Sequence, residues 1–140
     1  MRYLLDTNIF IYWITDRDML SEDVYEALND SEAVLFVSAE TVRELIVAYY
    51  NKKFDTRQWK EVSDLVNAIE DEFYISILPL QKEHMQTYAK LRPYVKQGHK
   101  DPSDHVIISH AITNRMILVS SDRNFPYYVQ YGLDLLYNEK

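Results

Sequence analysis

Short, continuously apolar runs set between helical patterns constrain the fold of this chain more than any other feature. Met1 to Leu5, Ala33 to Val37, Tyr74 to Leu78, Met116 to Val119 and Leu133 to Leu136 group their apolar residues rather than alternating them. Strands with one face in water alternate, and strands covered on both faces do not. These runs therefore read as members of a parallel sheet buried between helices. Helical spacing runs over Ser21 to Leu28, Ala39 to Asn51, Thr56 to Asp71, Gln81 to Val95 and Pro102 to Arg115. Parallel neighbours joined through helices need right-handed crossovers, and the expected product is a layered α/β/α sandwich. Ligands of open sheets of this kind sit at the carboxyl ends of the strands.

The 140 residues suit one domain spanning 1–140, with a core large enough to fold unaided. Two glycines and four prolines leave little room for long irregular segments. With no cysteine, disulfides and thiolate metal sites are excluded, and a reducing, cytoplasmic setting is expected. No secretory leader and no apolar run of about 18 residues is visible, so no membrane association is expected. The formal net charge of −7 argues against a broad basic face for nucleic acid. An acidic chain can meet a polyanion only if cations bridge the two, and otherwise its acidity serves solubility alone.

Four acids fall where ligands bind. Asp6 directly follows the first apolar run and opens Asp6-Thr7-Asn8, which also suits a helix N-cap or an Asx-turn. Glu44 lies on the helix after Ser38 and shares a face with Thr41, Leu45 and Ala48. A carboxylate bordering an apolar stripe must reach solvent or a charge partner. In Asp101-Pro102-Ser103-Asp104, the helix start explains Asp101 as an N-cap followed by proline. Asp104 shares the apolar face of Ile107, Ile108 and Ala111, although it also suits the helix N-terminus electrostatically. Asp122 ends the run Met116 to Ser121 and could equally be a turn residue. Each acid alone has an ordinary explanation. Four from distant parts of the chain at one sheet edge indicate a site for a hard cation such as Mg²⁺ or Mn²⁺, and no cysteine or suitably spaced histidine pair suggests zinc.

The segments Leu5-Asp6-Thr7-Asn8, Ser38 to Leu45, Asp101 to Ile108 and Leu118 to Phe125 together resemble PIN-domain nucleases, in particular the VapC-type toxins of toxin–antitoxin pairs. The likeness runs from the first strand almost to the C-terminus. It implies a parallel sheet of four or five strands and metal-dependent cleavage of RNA phosphodiester bonds. It also implies a homodimer and a small antitoxin whose tail reaches the acidic cleft.

Carried over by motif, Asp6, Glu44, Asp104 and Asp122 match the family's acidic quartet, and Asp101 matches an extra acid of one subgroup. Ser103 replaces that subgroup's aromatic residue, Asn124 stands where many relatives have another acid, and Ser120 replaces the usual Thr. On this resemblance Asp6, Asp104 and Asp122 hold one or two Mg²⁺ or Mn²⁺ ions and Glu44 orients or deprotonates the attacking water. Ser120 orients Asp122 or a water, and Asn8 and Arg123 support the site.

Arg43, Lys100 and Arg123 adjoin the acids and either steer phosphate or, more commonly for such residues, pair with acidic neighbours. His99, His105 and His110 are expected at the surface or behind the ligands. The twelve tyrosines and two tryptophans could stack bases, but Tyr3, Tyr12, Trp13 and Tyr49 read as packing residues. A different class of function is a catalytically weak regulatory module of the same fold that binds RNA or protein. A phosphatase of the haloacid dehalogenase type requires a second Asp where this chain has Asn8.

Overall fold

The computed structural model describes residues 1–140. Five parallel strands form one sheet in the order β3-β2-β1-β4-β5: β1 (Arg2–Leu5), β2 (Val34–Ser38), β3 (Ser76–Leu78), β4 (Ile117–Ser120) and β5 (Asp134–Tyr137). The α-helices are α1 (Thr7–Thr15), α2 (Glu22–Asn29), α3 (Ala39–Tyr50), α4 (Val62–Asp71), α5 (Lys82–Leu91) and α6 (Pro102–Asn114), with short 3₁₀ turns at Arg17–Met19, Arg92–Tyr94 and Phe125–Tyr131. The chain builds outward from β1 to β3, then crosses back to place β4 on the other side of β1. Strand order thus reverses between β1 and β4, and open sheets of this kind bind ligands at the carboxyl ends beside such a reversal.

Consecutive strand residues feed opposite faces. Tyr3, Leu5 and Val119 join Ile9, Phe10, Val24, Leu45 and Ile69 under α1 to α4. Leu4 and Leu118 join Leu91, Ile107, Ile108, Phe125 and Tyr128 under α5, α6 and the last 3₁₀ turn. Because both faces are covered, alternation along each strand separates two apolar layers rather than apolar from polar, as the continuous runs imply. Tyr3 and Trp13 are buried packing residues, and Tyr12 and Tyr49 are half-buried.

Three helical expectations change. Residues 7–15, which none of the helical patterns covers, form α1, capped by Asp6 and burying Ile9, Phe10 and Trp13. The pattern from Thr56 becomes helix only at Val62, where Glu61 and Asp64 form a reciprocal capping box. The pattern to Val95 leaves α-helical geometry at Leu91, because Pro93 disfavours continuation and the chain tightens into a 3₁₀ turn. No helix is long and apolar enough to cross a membrane.

Candidate metal centre

The sheet register fixes the first acids. Leu5 pairs with Val119, and the Asp6 amide donates to the Val119 carbonyl at 3.1 Å, so Asp6 leaves β1 level with Ser120 at the end of β4. Asp6 caps α1, its Oδ1 accepting from the Ile9 amide at 2.8 Å, and the nearby Ser120 hydroxyl favours its ionised form. The capping explanation and the ligand explanation are therefore compatible: one oxygen holds the helix while the carboxylate stays at the switch point. Asp6 is only 6% exposed. Burial, more than the opposing hydrogen bonds relieve, pushes its pKa up to about 7, and the charges of Asp104 and Asp122 add to the rise.

Asp104 projects from the first turn of α6. Burial, followed by the fields of Asp101, Asp122 and Glu44, pushes its pKa up to about 8. Asp122 is half-buried; its amide donates to Ser120 Oγ at 3.0 Å and its Oδ1 accepts from the Asn124 amide at 2.8 Å, the turn its sequence suggested. One ligand atom each from His99, Asp104 and Asp122 lie within 4.8 Å of one another.

Glu44 approaches from α3, half-buried. The sequence required a charge partner or a path to solvent; half-buried Glu44 keeps a path to solvent and gains a hydroxyl, with Thr7 Oγ1 donating to its Oε1 at 2.5 Å and lying 3.3 Å from Thr41 Oγ1. Burial raises the Glu44 pKa. Asp104 and Asp122 are thus close together, Asp6 stands within the field of both, and Glu44 stands within the field of Asp104.

Asp101 caps α6 from an exposed position, accepting from the Ser103 amide at 2.9 Å, while its charge reaches Asp104 and Glu44. Ser120 is fully buried; its hydroxyl holds the Asp122 amide and favours the ionised form of Asp6. Asn8 and Arg123 are exposed and make no side-chain hydrogen bond or ion pair. Arg43 follows the commoner pattern, pairing with Glu40 at 2.7 Å and donating to Ser103 Oγ at 2.6 Å, which ties α3 to α6.

Of the two places expected for the histidines, the surface is not the one they take. None is at the surface: His99, His105 and His110 are all buried. His99 is against Asp104 itself, Nε2 to Oδ2 at 3.0 Å, with Nδ1 at 2.7 Å from the Tyr128 hydroxyl. That hydroxyl accepts from the Lys96 amide, so it can donate its own proton to Nδ1 and leave Nε2–H to donate to Asp104. Burial lowers the His99 pKa, favouring this neutral form. His99 thereby orients Asp104, as a second partner orients a ligand carboxylate. His110 is walled in against Ser38 Oγ (2.9 Å) and the His84 ring, far down α6 from the acids, and burial holds its pKa near about 4.

The groups gathered here are the Asp104 and Asp122 carboxylates and the His99 ring, with Asp6 nearby, and burial followed by the neighbouring acids makes Asp6 and Asp104 resist ionisation. That set fits a hard divalent cation. Fold and site define an α/β protein that gathers carboxylates where its strand order reverses. The chain belongs to the PIN domain family, whose model matches residues 3–129.

It is similar to "Ribonuclease VapC2" of Haemophilus influenzae (strain Rd), 27% identical over 124 residues and covering 87% of each protein, and equally to "Ribonuclease VapC" of strain 86-028NP. Among solved structures it resembles VapBC2 from Rickettsia felis bound to a promoter DNA fragment, with a TM-score of 0.74, 22% identity and 99% of each chain covered. VapBC-1 from nontypeable Haemophilus influenzae gives 0.70 at 23% identity over 100% of both chains. DNA-bound VapBC from Salmonella typhimurium gives 0.70 at 20% identity over 97% of both. These structural likenesses bear on the fold.

Proposed function

We propose that this chain is an Mg²⁺- or Mn²⁺-dependent endoribonuclease and the toxin of a toxin–antitoxin pair. The observation that supports the reading is the meeting of Asp104 and Asp122, with His99, within 4.8 Å at the carboxyl end of the sheet, where Asp6 leaves the neighbouring strand and feels the charge of both. Support comes from relatives named as ribonucleases and from the similar fold of VapBC assemblies. Membership of a toxin–antitoxin pair carries with it a small antitoxin partner and a homodimer.

In this reading Asp6, Asp104 and Asp122 hold the cation. Bound there, the cation lowers the pKa of water and offsets negative charge on the phosphoryl oxygens in the transition state. His99 fixes the Asp104 carboxylate by donating to it, and Ser120 holds the Asp122 backbone. Glu44, held by Thr7, orients the attacking water and accepts its proton.

The test is incubation of the full chain with a panel of tRNA, ribosomal RNA and messenger fragments. Cleavage with Mg²⁺ and none in EDTA is expected; a folded chain that cuts nothing, or cuts equally in EDTA, contradicts the reading. A Thr7→Val variant, nearly isosteric, frees Glu44 without emptying the core. Its cleavage rate should fall about 10- to 100-fold, the usual effect of losing a group that orients a site residue, with an unchanged melting profile. An unaltered rate would remove Glu44 from the chemistry.

A further inference from the structure

We propose that the cavity beside the carboxylates, rimmed by Arg92, Lys96 and Lys100, is a phosphate subsite for a backbone phosphodiester of the RNA strand, next to the one at the acids. The inference rests on the ribonuclease reading and extends it to substrate placement. The cavity, about 350 Å³, opens between the end of α5, the segment 95–100 and the start of α6. Its charged rim is wholly basic, on a chain whose net charge is −7. None of the three cations belongs to an ion pair, whereas Arg43 and Arg57 do.

The wall between cavity and acids is shared. A turn in which the His99 amide donates to the Lys96 carbonyl at 3.0 Å, with Gly98 at φ +88, folds the segment back. It sets His99 in the cavity lining while its Nε2 meets Asp104. Lys96 Nζ donates to Asn124 Oδ1 at 3.2 Å, and the Asn124 amide donates to Asp122. Two one-residue bridges thus connect the basic cavity to two of the proposed cation ligands, the proximity that neighbouring phosphates of one strand require.

His105 supplies an independent sign. It lines the cavity, is 5% exposed, and its Nε2 has no hydrogen-bond partner. Buried polar atoms without a partner are uncommon, and a phosphate oxygen in the cavity would satisfy this one. The division of labour suits an acidic nuclease. One phosphate is met through a cation at the carboxylates, and the next is met directly by free Lys and Arg, which otherwise have nothing to neutralise.

The test works in EDTA, where binding is read without cleavage. Fluorescence anisotropy with a labelled single-stranded RNA compares the full chain, the triple variant Arg92→Gln/Lys96→Gln/Lys100→Gln, and the charge-matched Lys52→Gln/Lys53→Gln/Lys60→Gln beyond the far end of α3. The cavity variant should bind about tenfold or more weakly, and its salt slope should flatten by about 0.7 for each phosphate it no longer neutralises. The control should stay within about twofold. Inorganic phosphate, followed by proton–nitrogen NMR of the His105 ring, should shift that ring in the parent chain and not in the cavity variant.

Equal weakening in both triple variants, or none in the cavity variant, overturns the proposal. A phosphate response without any change in RNA affinity identifies a free-anion site and overturns the RNA assignment. If the chain never cleaves RNA with Mg²⁺ while the cavity variant alone loses RNA binding, the nuclease reading fails and the phosphate subsite stands.

Discussion

An Asp104→Asn substitution is expected to lower Mg²⁺-dependent RNA cleavage by about 10³-fold or more, because a bound cation contributes several kcal/mol of charge stabilisation. The amide keeps the shape of the carboxyl and can still accept from His99 Nε2, so the local structure should survive. It removes the charge the cation needs. It also removes the member of the cluster that burial and the fields of Asp101, Asp122 and Glu44 make hardest to ionise. The metal-free variant should therefore melt at the same temperature as the parent chain or higher. Asp6→Asn should behave alike, since Asn is as good an N-cap and its oxygen can still accept from the Ile9 amide. Single-turnover cleavage assays and thermal melts of both variants decide the matter; retained activity would refute the site assignment.

Metal-free stability should fall as pH rises from 6.5 to 8, and Mg²⁺ should suppress the fall. Asp6 and Asp104 have folded pKa values of about 7 and about 8 against 3.8 for the unfolded carboxyl. Between those limits the folded state holds more protons than the unfolded one, so raising pH costs stability. His110 acts with the opposite sign: burial holds it near about 4 against 6.5 unfolded, and burial also lowers His99 and His105. Below pH 6.5 the unfolded state gains protons on these rings, so the histidines destabilise as pH falls.

The two effects oppose each other in acid. Above pH 6.5 the unfolded rings, half protonated there, still lose protons and offset part of the carboxylates' effect, so the net loss by pH 8 should be about 1 kcal/mol. A cation binds the ionised carboxylates of the folded state, so saturating Mg²⁺ should flatten the profile. Urea titrations in EDTA and in Mg²⁺ at several pH values measure this. Metal-free stability that holds or rises from pH 6.5 to 8 would contradict the electrostatic description.

The sheet is legible in the sequence because burial on both faces leaves a plain imprint: each of the five apolar runs overlaps a strand of the parallel sheet. Asp6, Asp104 and Asp122 are legible for the same reason, since a residue just past such a run, or in the first turn of a helix packed on it, sits at the strand ends. α1 is not. Thr7-Asn8-Ile9-Phe10-Ile11-Tyr12-Trp13 is rich in β-branched and aromatic residues, and its helix follows from the Asp6 cap and from packing under α2 and α3 rather than from periodicity.

Nor is His99. Its place depends on the turn through Gly98 and on Tyr128, 29 residues away, which no spacing rule connects to it. Thr7 is adjacent to a residue that the motif singles out, yet its partnership with Glu44 emerges only when α1 and α3 are packed together. The free cations around the cavity are hidden by the acidic composition, because net charge does not report where the exceptions cluster.

Whether three carboxylates separated along the chain form one divalent-cation site is tested most directly by calorimetric titration of Mn²⁺ into the full chain at pH 7, repeated in buffers of different ionisation enthalpy. Saturable binding accompanied by proton release is expected, because Asp6 and Asp104 titrate near neutrality, and both signals should vanish in Asp104→Asn. Weak, non-saturating heats, or a titration unaltered in that variant, would contradict a shared site.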